Sequence, residues 1–378
     1  MDIYEQALAE HARLKGKVSV HPKATVDSAE SLATLYTPGI GAVSQKIHAH
    51  PETLGEYTWV NNAVAVISDG SAVLGLGDIG PGGALPVMEG KALLFKQFAG
   101  VDAVPIVLDV HTVEEIIATI KAISPGFGGI NLEDIASPKC FEIERRLIDE
   151  LSIPVMHDDQ HGTAIVVLAG LINACKVVGK KLEECKIVLV GAGAAGTAIA
   201  KLLEKYANPE MIVVDSQGVI TTDRPNLSPE KEYLSKLNLL APGNEYTMED
   251  AMLGADIVIG VSKAGMIHPE HIRIMSDTAI VFALANPEPE ITPEDALKAG
   301  AKVVATGRSD YPNQINNVLV FPGVFRGALD NRIETILDTH KIAAAEALAS
   351  LITEPTAEYI IPSVLDPRVV EVVAQSVR

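Results

Sequence analysis

The stretch KIVLVGAGAAGTAIAKLLEKY, residues 186–206, constrains the fold of this chain more than any other. Its continuous apolar start predicts a strand buried on both faces, and GAGAAG predicts a tight turn into a helix. A GxGxxG triplet alone is weak. Here a strand precedes it, a helix follows it, and Asp215 ends the next apolar run, MIVVDS. Gly191 permits the turn, Gly193 lets a pyrophosphate approach the backbone, and Gly196 lets the helix pack closely on its strand. With Ala192, Ala194 and Ala195 they offer free N–H groups at a helix N-terminus to an anion. Asp215 suits ribose hydroxyls and favours NAD, because a carboxylate repels a 2′-phosphate; Gln217 and Arg224 leave NADP open. A Rossmann-like domain without nucleotide is the competing reading.

Apolar runs alternate with helical patterns along the rest of the chain, which predicts an α/β fold with parallel sheets. A chain of 378 residues is long enough for two domains. We expect an N-terminal catalytic or substrate domain over 1–160, a dinucleotide-binding domain over 161–340 and a helical extension over 341–378. A long helix over 162–178 should cross between the domains. SLATLYTPGIGAVS reads as a loop and then a helix, a helix is expected to start near Glu89, and VLVF after Asn317 reads as a strand.

Several function classes start at low odds. Lys and Arg number 30 against 49 Asp and Glu, a net charge of −19, which repels nucleic-acid phosphates and anionic lipid. The apolar stretch over 164–174 falls short of the ~20 residues that span a bilayer. Cys140, Cys175 and Cys185 are odd in number and form no CxxC pair, so a disulfide framework or structural zinc is not expected, and a reducing cytoplasm fits. A phosphate loop before Lys91 is excluded, because Leu85 stands where the first glycine belongs and Ala92 follows the lysine.

Glu133 and Asp134 end one predicted strand, and Asp158 and Asp159 end another, where α/β proteins place ligands. Converging carboxylates need a cation or a proton between them, and an all-oxygen set suits Mg²⁺ or Mn²⁺. Adjacent residues of a strand face opposite ways, so Glu133 and Asp134 share an ion only if the strand has ended there. Equally, Asp134 and Asp158 fit helix caps. His157 and His161 flank the cluster, and surface or supporting placement is expected of both. Lys91, read as lying near a helix N-terminus among apolar neighbours, is expected to have a lowered pKa, as a general base requires; snorkelling to solvent is the alternative. Tyr36 sits in the turn Tyr-Thr-Pro-Gly, as a proton donor or a packing residue. Asn286, Asn316 and Asn317 lie at strand ends, where they bind ligand or make turns.

LYTPGIGAVS, EGKALLFKQFAG, GGINLEDI, HDDQHGTA, GAGAAG, LANPEPEI and NQINNVLVFPG, in this order, resemble the motifs of malic enzymes, the short bacterial and archaeal form above all. The likeness runs from about residue 20 to about residue 340. It implies oxidative decarboxylation of L-malate to pyruvate and CO2 with reduction of NAD or NADP. It further implies Tyr36 as proton donor, Lys91 as general base, Glu133, Asp134 and Asp159 as ligands of Mg²⁺ or Mn²⁺, and Asp158 as their acidic neighbour. Asn286 and Asn317 match positions that contact cofactor or substrate. His161 stands in HDDQHGTA as in short members of the family. A homodimer is implied as well, with no nucleic-acid or membrane partner. The competing expectations are a metal-independent two-domain amino-acid dehydrogenase and a non-catalytic nucleotide sensor.

Overall fold

The structure, a computed structural model, describes residues 3–73 and 75–378. The chain begins with the helices α1 (Ile3–Leu14), α2 (Ala29–Leu35), α3 (Ile40–Ala49) and α4 (Leu54–Tyr57). None of the four buries a residue. The first sheet follows, with β1 (Ala63–Ser68), α5 (Gly80–Ala99), β2 (Asp102–Val107), α6 (Val113–Ile123), β3 (Gly129–Leu132), α7 (Lys139–Glu150) and β4 (Val155–His157). Its strands are parallel, in the order β2-β1-β3-β4.

The helix α8 (Asp158–Val178) carries the chain into the second sheet. There stand β5 (Lys186–Val190), α9 (Ala194–Tyr206), β6 (Glu210–Asp215), β7 (Gly218–Val219), α10 (Pro229–Leu237), α11 (Met248–Met252) and β8 (Ile257–Gly260). They are followed by α12 (Pro269–Arg273), β9 (Ile280–Ala283), α13 (Pro293–Ala299) and β10 (Val303–Thr306). The order is β10-β9-β8-β5-β6-β7, parallel except for β7. The direction of winding reverses between β5 and β8, the crevice where such sheets take ligands. The chain closes with α14 (Phe321–Asp330), α15 (Asp338–Ser350) and α16 (Arg368–Ser376).

Helices cover both faces of β5, so KIVLV reads as an unbroken apolar run rather than an alternating one. One core joins the two sheets. Val64 and Val66 of β1, Ile165 and Leu168 of α8, and Ile187 and Leu189 of β5 belong to a single buried cluster. By length and composition α8 could cross a membrane, but 67% of its most apolar window is buried inside the fold. It is the pillar between the sheets, and truncating Leu168 to alanine there costs about 2–5 kcal/mol.

Three sequence expectations are corrected. The helix bearing Lys91 starts at Gly80, not near Glu89, with Pro81 in its first turn and the glycines continuing it as helix. The apolar run VLVF is not a strand: Asn317–Leu319 form a 3₁₀ turn and Phe321 opens α14, with Pro322 in its first turn. A short apolar run does not by itself separate a buried strand from a buried helix. The stretch before Tyr36, expected as loop, is α2, capped by Ser28.

Candidate active site

The C-terminal ends of the strands of both sheets open onto one cleft of about 600 Å³ between the domains. Lys91, Glu133, Asp134 and Asp159 line one wall, and Ala194, Asn286 and Asn317 line the opposite side. The domains meet closely there, since a Cβ on Gly75 would overlap the Asn286 carbonyl.

The strand β3 stops at Leu132, and Asp134 takes the left-handed conformation, φ +53°. The strand alternation is thereby broken, so Glu133 and Asp134 turn to the same place. The Asp134 N–H donates to the Asp159 carboxylate at 2.8 Å. One carboxylate oxygen from each of Glu133, Asp134 and Asp159 falls within 4.8 Å of the others, a set able to hold one hard cation. The Asn131 amide donates to Glu133 at 3.0 Å and fixes its second oxygen. Neither Asp134 nor Asp158 caps a helix: α7 begins at Lys139 after Pro138, and Asp158 is itself the first residue of α8.

Lys91 is buried. Its ammonium lies 3.1 Å from Glu133, pairs with Asp158, and sits 4.2 Å from the centre of the Phe321 ring. Lys91 is the twelfth residue of α5, mid-helix, so no helix N-terminus lowers its pKa as the sequence suggested. Burial works to lower it, but the Asp158, Glu133 and Asp159 carboxylates outweigh burial and hold it above the usual lysine value. The same crowding acts on the acids. Burial, with Asp159, Asp158 and Asp134 nearby, pushes Glu133 well above the usual carboxylate range against the pull of Lys91. Burial likewise raises Asp158, whose Oδ1 has no hydrogen-bond partner among the described residues. A site this rich in buried acid gains from a cation.

A second ring of residues, missed in the sequence, supports this one. Glu144 of α7 is buried, accepts the His157 N–H at 2.7 Å, and contacts the His161 ring at 3.0 Å. It thereby pins the β4–α8 junction that presents Asp158 and Asp159. His157 is fully buried rather than on the surface. The hydrophobic face of α7 hides Glu144 among residues that read as core, and nothing in the sequence marks it. Glu290 is fully buried and accepts the Ser262 N–H at 2.7 Å and the Ala285 N–H at 3.0 Å, tying the loops after β8 and β9 together beside Asn286. The acidic run PEPE after a strand was the available signal.

On the dinucleotide side the glycines divide their tasks. Gly191 has φ +124°, and a Cβ there would come within 2.5 Å of the Val261 carbonyl. A Cβ on Gly196 would overlap the Gly191 carbonyl, whereas at Gly193, just before α9, it meets open space. That is the profile of a turn shaped to admit an anion. Asp215 does not stand free at the end of β6. Arg224 grips both its oxygens at 3.0 and 3.1 Å, and Lys231 reaches it at 2.6 Å. Burial works to raise its pKa, but these cations win and keep it charged.

Tyr36 is 65% exposed at the C-terminal end of α2 and is not among the described residues lining the cleft.

A family model described as malic enzyme, N-terminal domain, matches residues 15–115 and 110–148, and one described as malic enzyme, NAD binding domain, matches residues 160–377. The chain is 50% identical over 380 residues to the bifunctional malic/malolactic enzyme of Bacillus subtilis (strain 168), covering 100% of this chain and 92% of that protein. It is 54% identical over 366 residues to the NAD-dependent malic enzyme of Geobacillus stearothermophilus, covering 96% and 76%. Among solved structures, malic enzyme from Pyrococcus horikoshii superposes with a TM-score of 0.94 at 51% identity, covering 100% of this chain and 90% of that one.

Proposed function

The chain belongs to the malic enzyme family, and on that premise we propose that its cleft oxidises L-malate at C2 and releases C4 as CO2, leaving pyruvate. The observation that carries this reading is the convergence of Lys91 and three carboxylates opposite the glycine turn in one cleft. Glu133, Asp134 and Asp159 hold Mg²⁺ or Mn²⁺, and the turn at 191–196 holds the dinucleotide. When bound, the cation polarises the substrate oxygens and draws the carboxylate charge away from Lys91, and the nicotinamide accepts the hydride.

The remaining work belongs to the side chains. Lys91 takes the C2 hydroxyl proton. The basic unit is the Lys91–Asp158 pair: Asp158 accepts the ammonium's extra proton, and the neutral amine so formed takes the one from the hydroxyl. Asn286 and Asn317, on the opposite wall, orient substrate and cofactor. Tyr36 is the acid that protonates C3.

Arg224 and Lys231 neutralise Asp215, so its repulsion of a 2′-phosphate is cancelled. The chain therefore uses NAD, through the ribose hydroxyls, and accepts NADP as well. It acts as a homodimer and works in the cytoplasm, where its three free, buried cysteines stay reduced.

Following the absorbance of the reduced nicotinamide with malate, each dinucleotide and each metal tests the reading. Malate-dependent reduction that a chelator abolishes and Mn²⁺ or Mg²⁺ restores is expected. Chelator-insensitive turnover of an amino acid would point to the dehydrogenase alternative, and binding without turnover to a sensor.

A further inference from the structure

Two opposite charges stand in this fold where helix periodicity calls for apolar residues. The buried face of α7 is Cys140, Ile143, Glu144 and Leu147, and that of α15 is Lys341, Ala344, Ala345, Leu348 and Ala349. Both sets follow the i, i+3, i+4, i+7 spacing of a stripe turned to a core. Glu144 is 5% exposed and Lys341 7%. A charge so buried destabilises a fold unless an opposite charge answers it.

Both helices close on α8. Glu144 meets its start, accepting the His157 N–H at 2.7 Å and contacting the His161 ring at 3.0 Å. The helix α15 packs along α8, with Ala345 and Leu348 in the same buried cluster as Ile165 and Leu168. Lys341 donates to Asp338 at 3.1 Å, and Asp338 also pairs with Lys205 in the last turn of α9. Lys205 and Lys341 bring two positive charges to one carboxylate, and Glu144 answers the surplus. Burial works against the Glu144 charge, and His161, His157 and Lys341 hold it. Of these three, Lys341 is the ammonium and the others are imidazoles.

The structure assigns to Lys341 a positioning role at the metal site: from the C-terminal extension it holds Glu144 as a carboxylate, and Glu144, through the His157 N–H, fixes the direction in which the first turn of α8 presents Asp159. This rests on the metal-dependent malate reading above. A charged acceptor holds an N–H roughly twice as strongly as a neutral one, so a Glu144 deprived of its cation grips the β4–α8 junction less firmly. Groups that orient metal ligands in this way change metal affinity by about 10–100-fold. Lys341 acts through Glu144, and the extension that carries it is thereby part of a site whose ligands all lie in or beside the first sheet.

Titration of metal-free protein with Mn²⁺, followed by the EPR signal of the free ion, tests this, with NAD⁺ affinity measured alongside. Lys341→Met keeps most of the side-chain volume. It should weaken Mn²⁺ binding about tenfold and leave NAD⁺ affinity within about twofold. Unchanged Mn²⁺ affinity overturns the proposal, and so does an equal loss of both ligands, which marks a fold loosened throughout. The double variant Glu144→Gln/Lys341→Met leaves neither charge unanswered, so it folds even if the single variant does not. It should bind Mn²⁺ as Glu144→Gln alone does; a further drop means that Lys341 acts by another route and overturns its role through Glu144. Wild type that binds Mn²⁺ but turns over no malate would fail the function, and the same titrations would still decide the role of Lys341. Wild type that binds no Mn²⁺ would sink the metal site and this proposal together.

Discussion

The Asp134 N–H donates to the Asp159 carboxylate at 2.8 Å, fastening the end of β3 to the first turn of α8. The bond joins chain segments 25 residues apart and fixes the direction of one oxygen of the proposed metal site before any ion arrives. Metal sites of this kind owe their affinity to such orientation.

Removing the ion follows directly. Chelation should abolish malate turnover, and Mn²⁺ added to metal-free protein should raise its melting temperature, since a cation that binds only the folded state stabilises it. Glu133→Gln should erase most of that rise. A thermal shift that is unchanged in the variant would remove Glu133 from the ligand set.

Gly162 stands where a Cβ would overlap Asp158 Oδ1. Alanine is the better helix former by roughly 1 kcal/mol, so Gly162→Ala should leave the melting temperature nearly unchanged. It should nevertheless displace Asp158 from Lys91 and lower kcat by roughly tenfold or more, about 1.4 kcal/mol in the barrier. Wild-type kcat in this variant would show that the Lys91–Asp158 pair has no part in proton transfer.

On the proposed reading, Arg224 and Lys231, which both contact Asp215, set the dinucleotide preference. Arg224→Ala leaves Asp215 with less positive company, so KM for NADP should rise several-fold while KM for NAD stays within about twofold. Equal changes for both would mean that Arg224 only shapes the loop.

The Glu144 carboxyl is driven from the usual range to about 2: burial opposes its charge, but His161, His157 and Lys341 outweigh burial. A depressed folded-state pKa contributes stability that is complete above the unfolded value near 4.5 and is lost as pH falls toward 2. Glu144→Gln should be less stable than wild type at neutral pH, and the difference should shrink across that acidic window. Parallel stability curves down to pH 2 would contradict the assignment.

Glu290 holds two cofactor-side loops through the Ser262 and Ala285 N–H groups. Glu290→Ala leaves the buried Ala285 N–H unpaired, costing about 1–3 kcal/mol, and frees the part-buried Ser262 N–H. KM for the dinucleotide should rise more than KM for malate. The reverse order would place Glu290's influence on the substrate side.

Some of this was legible in the residues. The apolar run before GAGAAG, the glycine spacing and Asp215 specify a strand, turn and helix by local chemistry alone, and β5, the turn and α9 stand there. The alternation of apolar runs and helical patterns likewise gives the parallel sheets, because hydrophobic period and turn residues act over short distances. Glu133, Asp134 and Asp159 were visible as acids at strand ends.

What stayed hidden depends on groups far apart in the chain. No pattern near Lys91 reveals Asp158, 67 residues away, whose carboxylate reverses the expected direction of the lysine's pKa. VLVF makes a 3₁₀ turn and supplies the first residue of α14, which packs against α5 and α16. Asp215 looks like a free ribose ligand until Arg224 and Lys231 fold back onto it. Hydrophobic period is a property of neighbours in sequence, whereas the charge a group carries depends on neighbours in space, and only the packed structure supplies those.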